Sequence, residues 1–583
     1  MSRAARGPVD PVVCVLTKRG RLTVAEPLFE SGDRISLPGK ALGDGRVGDI
    51  VLVGGGKRGA RVLRRIGRPS VARDVLEALM LDQGLRRSFP YRVDEEASEV
   101  AEPKGGARHH IFRERRDLRE LPTFTIDPID ARDFDDAISA EELDGGRARV
   151  WVHIADVSEF VRPDGVIELE AFRRGTSVYV PGAVEPMLPQ ALSNDACSLR
   201  PHVDRLAVTV EMEIECAEVR SVAFHRSIIR SDARLNYDHI DEVFAGRERP
   251  EDPWAGPLAV ARRVAAALHD ARQERGSALE VESSEPSFEF DERGDVVAVH
   301  HDEQTESHRL IEHLMILANE QVAEFLAERK VPTLYRVHER PDPGSVRALV
   351  DKLASLDVPT PPIGEDLTPQ QAADAVGEIS RVVTSYVRKT GRGAAIFPSL
   401  VLRALKKAYY SPENLGHAGL ASACYCHFTS PIRRYPDLVV HRGLLAALGL
   451  DDSRPHAPEM DEAGAAASAA ERRALEVERA AHDVCFAFLL ERRLREDYDQ
   501  EFAGEITGVI GAGAFVRFGD EGFEGFLPRR RIRGDRWHLN ETETALIGEY
   551  SGRAMRLGDP ITVQVDRVDA PRGRVDLYMV IDG

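Results

Sequence analysis

The sequence predicts a multidomain α+β protein, with a small β-barrel at each end of the chain and a mixed α/β domain between them. At 583 residues the chain is long for one hydrophobic core, and roughly 100–200 residues per domain suggests three or four domains. The N-terminal end alternates short apolar runs with Gly-rich turns, as strands of a small barrel do. A segment near the other end carries Ala, Glu, Arg and Leu at helical spacing and leads into the second barrel.

The first predicted barrel spans residues 8–67. It contains five short apolar runs separated by turn residues, at positions 12–16, 21–25, 33–37, 48–53 and 59–63. This pattern is typical of a small β-barrel. Residues 68–120 then form a predicted linker, with a helix over residues 74–85 followed by a charged, partly irregular stretch.

The next segment crowds five carboxylates into ten residues, namely Asp127, Asp130, Asp133, Asp135 and Asp136. We expect a loop here, between a strand near residues 124–126 and another near 137–139. Carboxylates that share a small volume cannot all stay ionised, so either some are protonated or a hard divalent cation lies among them. Oxygen ligands suit Mg²⁺ and Mn²⁺, which predicts a metal-dependent phosphodiesterase. From this segment alone, a solvated acidic loop and a structural calcium site remain alternatives.

Further recognisable blocks follow this acidic segment in order. They are His153-Ile154-Ala155-Asp156-Val157-Ser158, Gly175-Thr176-Ser177-Val178-Tyr179-Val180-Pro181, Pro186-Met187-Leu188-Pro189, Leu310-Ile311-Glu312, and His427-Phe428-Thr429-Ser430-Pro431-Ile432-Arg433-Arg434-Tyr435-Pro436-Asp437. Together with the acidic segment, they resemble the RNB family of 3′→5′ exoribonucleases, ribonuclease II and ribonuclease R, and are closer to ribonuclease R. The resemblance covers residues 121–445.

The resemblance implies an RNB catalytic domain of mixed α/β structure over residues 121–445. A helical segment over residues 446–497, with a long helix at 461–494, is expected to close its core. The N-terminal barrel is similar to a cold-shock-type OB domain, and residues 498–583 resemble the OB-type RNA-binding domain named after ribosomal small-subunit protein one. Such barrels stack bases on aromatic rings. The candidate rings are Phe502, Phe515, Phe518, Phe526 and His538. A core position is the alternative for each phenylalanine, and we predict that Phe515 binds RNA.

The family match also implies roles for charged residues. Asp127, Asp133, Asp135 and Asp136 fall on the four acidic motif positions and are expected to hold Mg²⁺ or Mn²⁺, directly or through water; Asp135 and Asp136 are also expected to be catalytic. Arg433 matches the arginine that faces the scissile phosphate, where a planar guanidinium can offset the charge of the transition state. Arg434 is the alternative, and an ion pair with Asp437 is the structural explanation for either arginine.

Three further residues match positions around the 3′-terminal nucleotide. Tyr179 is expected to stack on that nucleotide, and Tyr237 and Glu312 to contact the same end of the RNA. Two departures from the family pattern accompany them. Leu279-Glu280-Val281 stands where ribonuclease II and ribonuclease R have an aromatic residue, and His313 replaces an acidic residue after Glu312.

The activity implied is processive 3′→5′ hydrolysis of single-stranded RNA to nucleoside 5′-monophosphates by metal-activated water. Two alternatives stand beside it: a non-catalytic RNA-binding protein with the same fold, and a DNA-directed or endonucleolytic phosphodiesterase. The four aspartates and Arg433 argue against the first alternative.

Composition restricts the remaining possibilities. A formal net charge of −19 at pH 7 argues against a polyanionic ligand, but basic clusters such as Lys406-Lys407 and Arg529-Arg530-Arg531 can still line one path for RNA. Six scattered cysteines form no disulfide framework, and no run of about 18 apolar residues exists. We therefore expect a cytoplasmic protein without a membrane partner, and the family resemblance implies a monomer.

Overall fold

The computed structural model describes residues 11–30, 32–56, 59–102, 115–274, 285–364, 366–451, 455, 457–532 and 534–580. The predicted aliphatic segment Leu279-Glu280-Val281 lies outside these residues. No helix of the described ranges is both long enough and apolar enough to cross a membrane.

The N-terminal region contains the five predicted strands in an antiparallel sheet of order β3-β2-β1-β4-β5. Side chains of Cys14, Leu16 and Val51 fill its interior. Among the described residues no ladder hydrogen bonds join β3 to β5, but Cα atoms of these edge strands approach within 8 Å, so the sheet is strongly curled. Two helices follow it. The bounds are β1 (Val12–Arg19), β2 (Leu22–Pro27), β3 (Ile35–Leu37), β4 (Ile50–Gly56), β5 (Gly59–Gly67), α1 (Ala72–Asp82) and α2 (Tyr91–Ala101).

The central domain is built on a seven-stranded mixed sheet of order β14-β7-β8-β9-β12-β13-β6. The elements up to β14 are β6 (Arg116–Asp117), β7 (Phe124–Asp127), β8 (Asp136–Glu142), β9 (Ala148–Ala155), α3 (Val166–Arg174), β10 (Val178–Val180), β11 (Ala183–Glu185), β12 (Asp204–Glu215), β13 (Glu218–Arg230) and β14 (Ala233–Asn236). Since β7 ends at Asp127 and β8 begins at Asp136, the acidic segment is the loop between them, as the sequence predicts. Strand β14 runs parallel to β7 and pairs Asn236 with Asp127, so the residue after β14 emerges at the same edge.

Helices cover this sheet and complete the central domain. Helices α5 and α6 pack together, and α5 also contacts β8, burying Val150, Val208 and Leu314 in one apolar core. The elements are α4 (Tyr237–Phe244), α5 (Ala255–Glu274), β15 (Glu285–Phe290), β16 (Val296–Asp302), α6 (Glu306–Glu328), β17 (Tyr335–Val337), α7 (Pro343–Ser355), α8 (Pro369–Thr390), α9 (Phe397–Arg403), β18 (Tyr409–Ser411), α10 (Tyr435–Ala447) and α11 (Met460–Leu494).

Helix α11 is the long helix that the sequence predicts over residues 461–494. It contacts α1 on one side, β10 and β18 in the central domain, and the C-terminal barrel on the other side. Its small residues permit this close approach. At Gly175 an added Cβ would lie 2.5 Å from the Cβ of Ala470, so the turn before β10 and this helix meet at a position that has room only for glycine.

The C-terminal region is a closed barrel of five strands, β19-β20-β21-β26-β25, with a small three-stranded sheet beside it. The strands are β19 (Glu501–Ile510), β20 (Gly513–Phe518), β21 (Phe523–Pro528), β22 (Trp537–Leu539), β23 (Ala545–Gly548), β24 (Ala554–Arg556), β25 (Pro560–Asp569) and β26 (Arg574–Met579). The interior holds Phe502 and Phe518, which were two of the five candidate RNA-stacking rings. Because the barrel encloses both rings, these two candidates are core residues and cannot stack on RNA bases.

Candidate active site

The acidic loop between β7 and β8 places the predicted aspartates at one edge of the central sheet. The charges of Asp133 and Asp136 act on Asp127, and those of Asp133 and Asp136 also act on Asp135, so the four carboxylates form one electrostatic group. Asp130 has an exposed side chain on the same loop. The loop therefore brings the four carboxylates within electrostatic reach of one another, and their role as metal ligands stays a prediction.

Asp135 is the buried centre of this group. Its side chain is only 5% exposed, and its Oδ1 accepts a hydrogen bond of 2.9 Å from the backbone N–H of Ile432. The backbone N–H of Ala155 donates to the carbonyl oxygen of Asp135 at 2.9 Å, which fixes the loop against β9. These bonds connect the acidic loop to the segment that carries Arg433.

Burial raises the pKa of Asp127, Asp135 and Asp136, and repulsion between carboxylates adds to the effect for Asp127 and Asp135. Burial, and then the charge of Asp136, raises the pKa of Asp127 to about 8. Burial raises the pKa of Asp136 to about 6 against the opposing charge of Arg433, and it raises the pKa of Asp135 well above its ordinary value. A cation that bound here would favour the ionised forms and lower all three pKa values.

By donor type and charge, the cluster fits a hard divalent cation. All its ligands are carboxylate oxygens, and Asp127 Oδ2 is buried without a hydrogen-bond partner. In the described parts of the chain, no group of three or more His, Cys, Asp or Glu side chains has the spacing of a metal-binding set. The fit therefore rests on the unpaired buried oxygen and on the unfavourable accumulation of negative charge.

The two adjacent arginines have different environments. Arg434 forms a two-bond ion pair with Asp437, with Nη2–Oδ1 at 2.7 Å and Nε–Oδ2 at 2.9 Å. Arg433 has no ion-pair partner within 4 Å among the described residues; its Nη2 donates to Ser430 Oγ at 3.3 Å. Its positive charge acts on Asp135 and Asp136. Arg434 is thus engaged by Asp437, whereas Arg433 lies beside the carboxylates without an ion-pair partner among the described residues.

Tyr179 lies on β10, next to the carboxylates. Its hydroxyl donates to Asp133 Oδ2 at 3.2 Å, while the side chain remains 37% exposed. The preceding turn is fixed to the arginine segment, because the backbone N–H of Ser177 donates to the carbonyl oxygen of Arg433 at 2.9 Å. A partly exposed ring whose hydroxyl and preceding turn are both fixed is suited to stack on a base.

Sequence reasoning missed Glu478, which faces this strand from α11. Its Oε1 accepts a hydrogen bond of 3.0 Å from the backbone N–H of Tyr179. Burial raises its pKa, against the opposing effects of that hydrogen bond and of the charge of Arg433. In sequence, Glu478 is one of many glutamates on an amphipathic helix, so no local signal distinguished it.

Tyr237 begins α4 at the same sheet edge, where its ring stacks on His308 of α6. The charges of Asp136, Asp127 and Arg433 all act on its hydroxyl. Sequence reasoning placed Tyr237 at the site but missed His308, whose contact depends on the packing of α4 against α6.

Glu312 lies one helical turn after His308 on α6, and its Oε2 accepts a hydrogen bond from Gln304 Nε2. The charges of Arg272 and His269 act on its carboxylate, so the structure places it beside α5. The neighbouring His313 is buried against α5, with its Nε2 3.1 Å from His269 Nδ1. Burial lowers the pKa of His313 to about 4, so this departure from the family pattern adds a neutral side chain near neutral pH.

Arg234 of β14 is a second residue that sequence reasoning missed. Its Nη2 donates to the carbonyl oxygens of Pro128 and Ile129, at 2.8 Å for Ile129, and its guanidinium lies 5.6 Å from the centre of the Phe134 ring. These contacts hold the acidic loop on both sides of Asp130. One sequence signal could have indicated Arg234, because it lies three residues before Tyr237, which was predicted to be at the site.

The C-terminal barrel presents an aromatic surface. Phe515 on β20 is 43% exposed and contacts Phe526 on β21, with ring centres 5.1 Å apart. His538 on β22 is also exposed. Of the basic clusters, Lys406 pairs with Glu339 and Arg531 with Asp566, so these two cations are partly neutralised.

Comparisons with known proteins agree with this architecture. The RNB domain family matches residues 115–449, and the S1 RNA binding domain family matches residues 498–579. Ribonuclease R of Escherichia coli (strain K12) is 33% identical over 569 residues, which cover 94% of this chain and 68% of that protein. Ribonuclease R of Aquifex aeolicus (strain VF5) is 36% identical over 528 residues, covering 89% and 72%.

Solved structures show the same fold. Mycoplasma genitalium RNase R, in complex with ribose-methylated single-stranded RNA, superimposes with a TM-score of 0.86 at 23% sequence identity. The superposition covers 99% of this chain and 90% of that one. With an RNB domain that matches more than half of the chain, the chain belongs to the RNB family of exoribonucleases, among the ribonuclease R proteins.

Proposed function

We propose that this chain degrades single-stranded RNA processively from the 3′ end, by hydrolysis to nucleoside 5′-monophosphates, with Mg²⁺ as its cation. The observation that carries the proposal is the contact between two segments: Ile432 holds the buried Asp135, and Arg433, the next residue, has no ion-pair partner among the described residues. A cluster of carboxylates beside one available guanidinium suits a phosphodiester.

Arg433 supplies the fixed positive charge for the reaction. Its guanidinium can bind two non-bridging phosphate oxygens and offset the charge that develops in the transition state. Since Arg434 is engaged by Asp437, Arg433 alone of this pair is available for the phosphate. The hydrogen bond from Ser177 to its carbonyl oxygen fixes the backbone from which it extends.

The aspartates supply the cation site. Asp127, Asp133, Asp135 and Asp136 would hold Mg²⁺, with Mn²⁺ as a substitute, directly or through water. When bound, the ion would lower the pKa of the attacking water and offset phosphate charge. The charge of Arg433 acts on Asp135 and Asp136. The scissile phosphate would therefore lie between the cation held by these aspartates and the guanidinium of Arg433.

The aromatic residues would fix the position of the 3′ end of the RNA. Tyr179 would stack on the terminal base. This stacking does not depend on which base is present, because every base has a π-face. Tyr237 and Glu312 would contact the same nucleotide. The C-terminal barrel, with Phe515 exposed, would hold RNA upstream while the terminal nucleotide is removed, which favours processivity.

Degradation of a 5′-labelled single-stranded RNA tests the proposal. Wild-type protein with Mg²⁺ should give a ladder that ends in a short product and should release nucleoside 5′-monophosphates. EDTA and Asp135→Asn should each abolish shortening while the variant still binds RNA. The matched control is Asp130→Asn, an exposed aspartate of the same loop, which should retain the activity.

Each alternative gives a different result in that assay. A gel shift without shortening by wild-type protein would indicate an RNA-binding protein. Internal fragments would indicate an endonuclease, and equal loss of a DNA strand of the same sequence would indicate a phosphodiesterase without preference for RNA. Any of these results contradicts the proposal.

We also propose that the protein is cytoplasmic and acts as a monomer. All six cysteines are free and five of them are buried, which suits a reducing compartment. Cell fractionation and sedimentation equilibrium test the two statements. A membrane or exported fraction, or a dimer at the enzyme concentration of the assay, would contradict them.

A further inference from the structure

His308 and Tyr237 form the closest parallel ring pair beside the carboxylates. Their ring centres are 3.8 Å apart and their planes are inclined by 13°. His308 lies in the first turn of α6 and Tyr237 is the first residue of α4, so the pair joins the starts of two helices. No sequence motif predicted this contact.

A hydrogen-bond network fixes the same junction. Ser307 Oγ donates to Asp241 Oδ2 at 2.9 Å, and its backbone N–H donates to Asp241 Oδ1 at 3.1 Å. Thr305 Oγ1 lies 2.7 Å from His308 Nδ1 and fixes the plane of the imidazole. The His308 ring is therefore held from its own helix, and Tyr237 packs on its face.

The hydroxyl of Tyr237 lies within the electrostatic field of the carboxylates and Arg433. Its hydroxyl has no hydrogen-bond partner among the described residues, and the charges of Asp136, Asp127 and Arg433 act on it. Nothing in the site fixes this hydroxyl directly, so its position depends on the orientation of the ring. Two contacts hold the ring, its packing against the apolar core and its parallel stack on His308.

We propose that His308 is a positioning residue for the hydrolysis of RNA: it orients Tyr237 so that the tyrosine hydroxyl lies at the carboxylate cluster. The inference rests on the proposed function and adds a residue to it. It also connects two substrate contacts, because His308 and Glu312 lie one turn apart on the same face of α6. The flat imidazole face is the required feature.

Three variants separate the ring from its other properties. His308→Ala removes the ring, His308→Gln keeps a polar side chain for Thr305 without a ring, and His308→Phe restores a flat ring. We expect Ala and Gln to lower kcat by about tenfold, the scale of one ring contact, with the Kd for RNA unchanged. Phe should recover most of that loss. The matched control is His300→Ala on β16, a largely exposed histidine that pairs with Glu289.

A double-mutant cycle with Tyr237→Ala tests whether His308 acts through the tyrosine. If it does, His308→Ala should lower kcat no further once Tyr237 is alanine, since the shared contact is already lost. Independent effects that multiply in the double variant would overturn the proposal. So would failure of His308→Phe to recover activity while His308→Gln remains fully active.

Misfolding and failure of the proposed function give distinguishable results. Thermal unfolding midpoints close to wild type show that the variants are folded, and His308→Phe provides a second folded variant if His308→Ala is unstable. If wild-type protein does not shorten RNA, the proposed function is wrong. If wild-type protein is active and His308→Ala and His308→Gln match it, only this inference is wrong.

Discussion

The backbone N–H of Ile432 donates a hydrogen bond of 2.9 Å to Oδ1 of Asp135, a residue 297 positions earlier in the chain. This bond gives a buried carboxylate one fixed donor and brings the next residue, Arg433, to the acidic loop. The same segment is tied to the turn before Tyr179 by the bond from Ser177 to the Arg433 carbonyl. Three segments that are distant in sequence thus meet at one point.

The stability of the metal-free protein should depend on the protonation of Asp127. Burial and the charge of Asp136 raise its pKa to about 8. The folded protein therefore binds this proton more tightly than the unfolded chain, and the free energy of unfolding should fall as pH rises from about 4 to about 8. Asp127→Asn has no carboxylate to ionise at this position and should not lose this stability. In EDTA, the unfolding temperature of Asp127→Asn relative to that of wild-type protein should therefore increase between about pH 4 and about pH 8.

Asp130→Asn is the control for this pH series, because its side chain is exposed on the same loop. Addition of Mg²⁺ should stabilise wild-type protein more than Asp127→Asn. A constant difference between the Asp127→Asn and wild-type unfolding temperatures at every pH would contradict the prediction.

Substitution of Arg433 should lower the rate of hydrolysis, whereas substitution of Arg434 should lower the stability of the fold. Arg433→Gln should lower the rate of RNA hydrolysis by roughly 10²–10³-fold with little change in stability, because it removes charge stabilisation of the transition state. Arg434→Gln should reduce the free energy of unfolding by about 3–5 kcal/mol, since it leaves the fully buried Asp437 unpaired. Single-turnover kinetics and denaturant unfolding measure the two effects. Equal loss of stability in both variants would show that the assignment is wrong.

Tyr179 should act through its ring more than through its hydroxyl. Tyr179→Ala should weaken binding of the RNA 3′ end by about 1–3 kcal/mol and leave a longer final product, because stacking is lost. Tyr179→Phe keeps the ring and removes only the bond to Asp133, so its final product should match wild type. Gel analysis of limit products measures this. Identical products from the Ala and Phe variants would exclude stacking.

The C-terminal barrel offers a matched pair of phenylalanines. Phe515→Ala should weaken RNA binding by about 1–3 kcal/mol, since this ring is 43% exposed. Phe502→Ala should instead destabilise the fold by about 3–5 kcal/mol, because its ring is 3% exposed in the barrel interior. Fluorescence anisotropy with labelled RNA and thermal unfolding test the pair. Unchanged RNA affinity of Phe515→Ala would remove it from the binding surface.

Local sequence was sufficient for much of the fold. The five N-terminal strands and helix α11 follow from the spacing of apolar residues, which reflects the two-residue period of a strand and the 3.6-residue period of a helix. The acidic loop was equally local, since its aspartates lie within ten residues of one another. The order of the central sheet was not predicted, because the pairing of β14 with β7 joins residues about one hundred positions apart.

The sequence by itself determined the strands, the long helix and the acidic loop, and through family resemblance it predicted the site residues from Asp127 to Arg433. Tertiary structure alone decided that Arg434 pairs with Asp437, that Phe502 is interior while Phe515 is exposed, and that His308 and Glu478 border the site. The physical reason is that burial, and the contacts of His308 and Glu478, depend on which distant segments pack together. Arg434 and Asp437 are only three residues apart, but the turn of the chain decides that Asp437 pairs with Arg434 and not with Arg433. Periodicity along the chain carries no information about those partners.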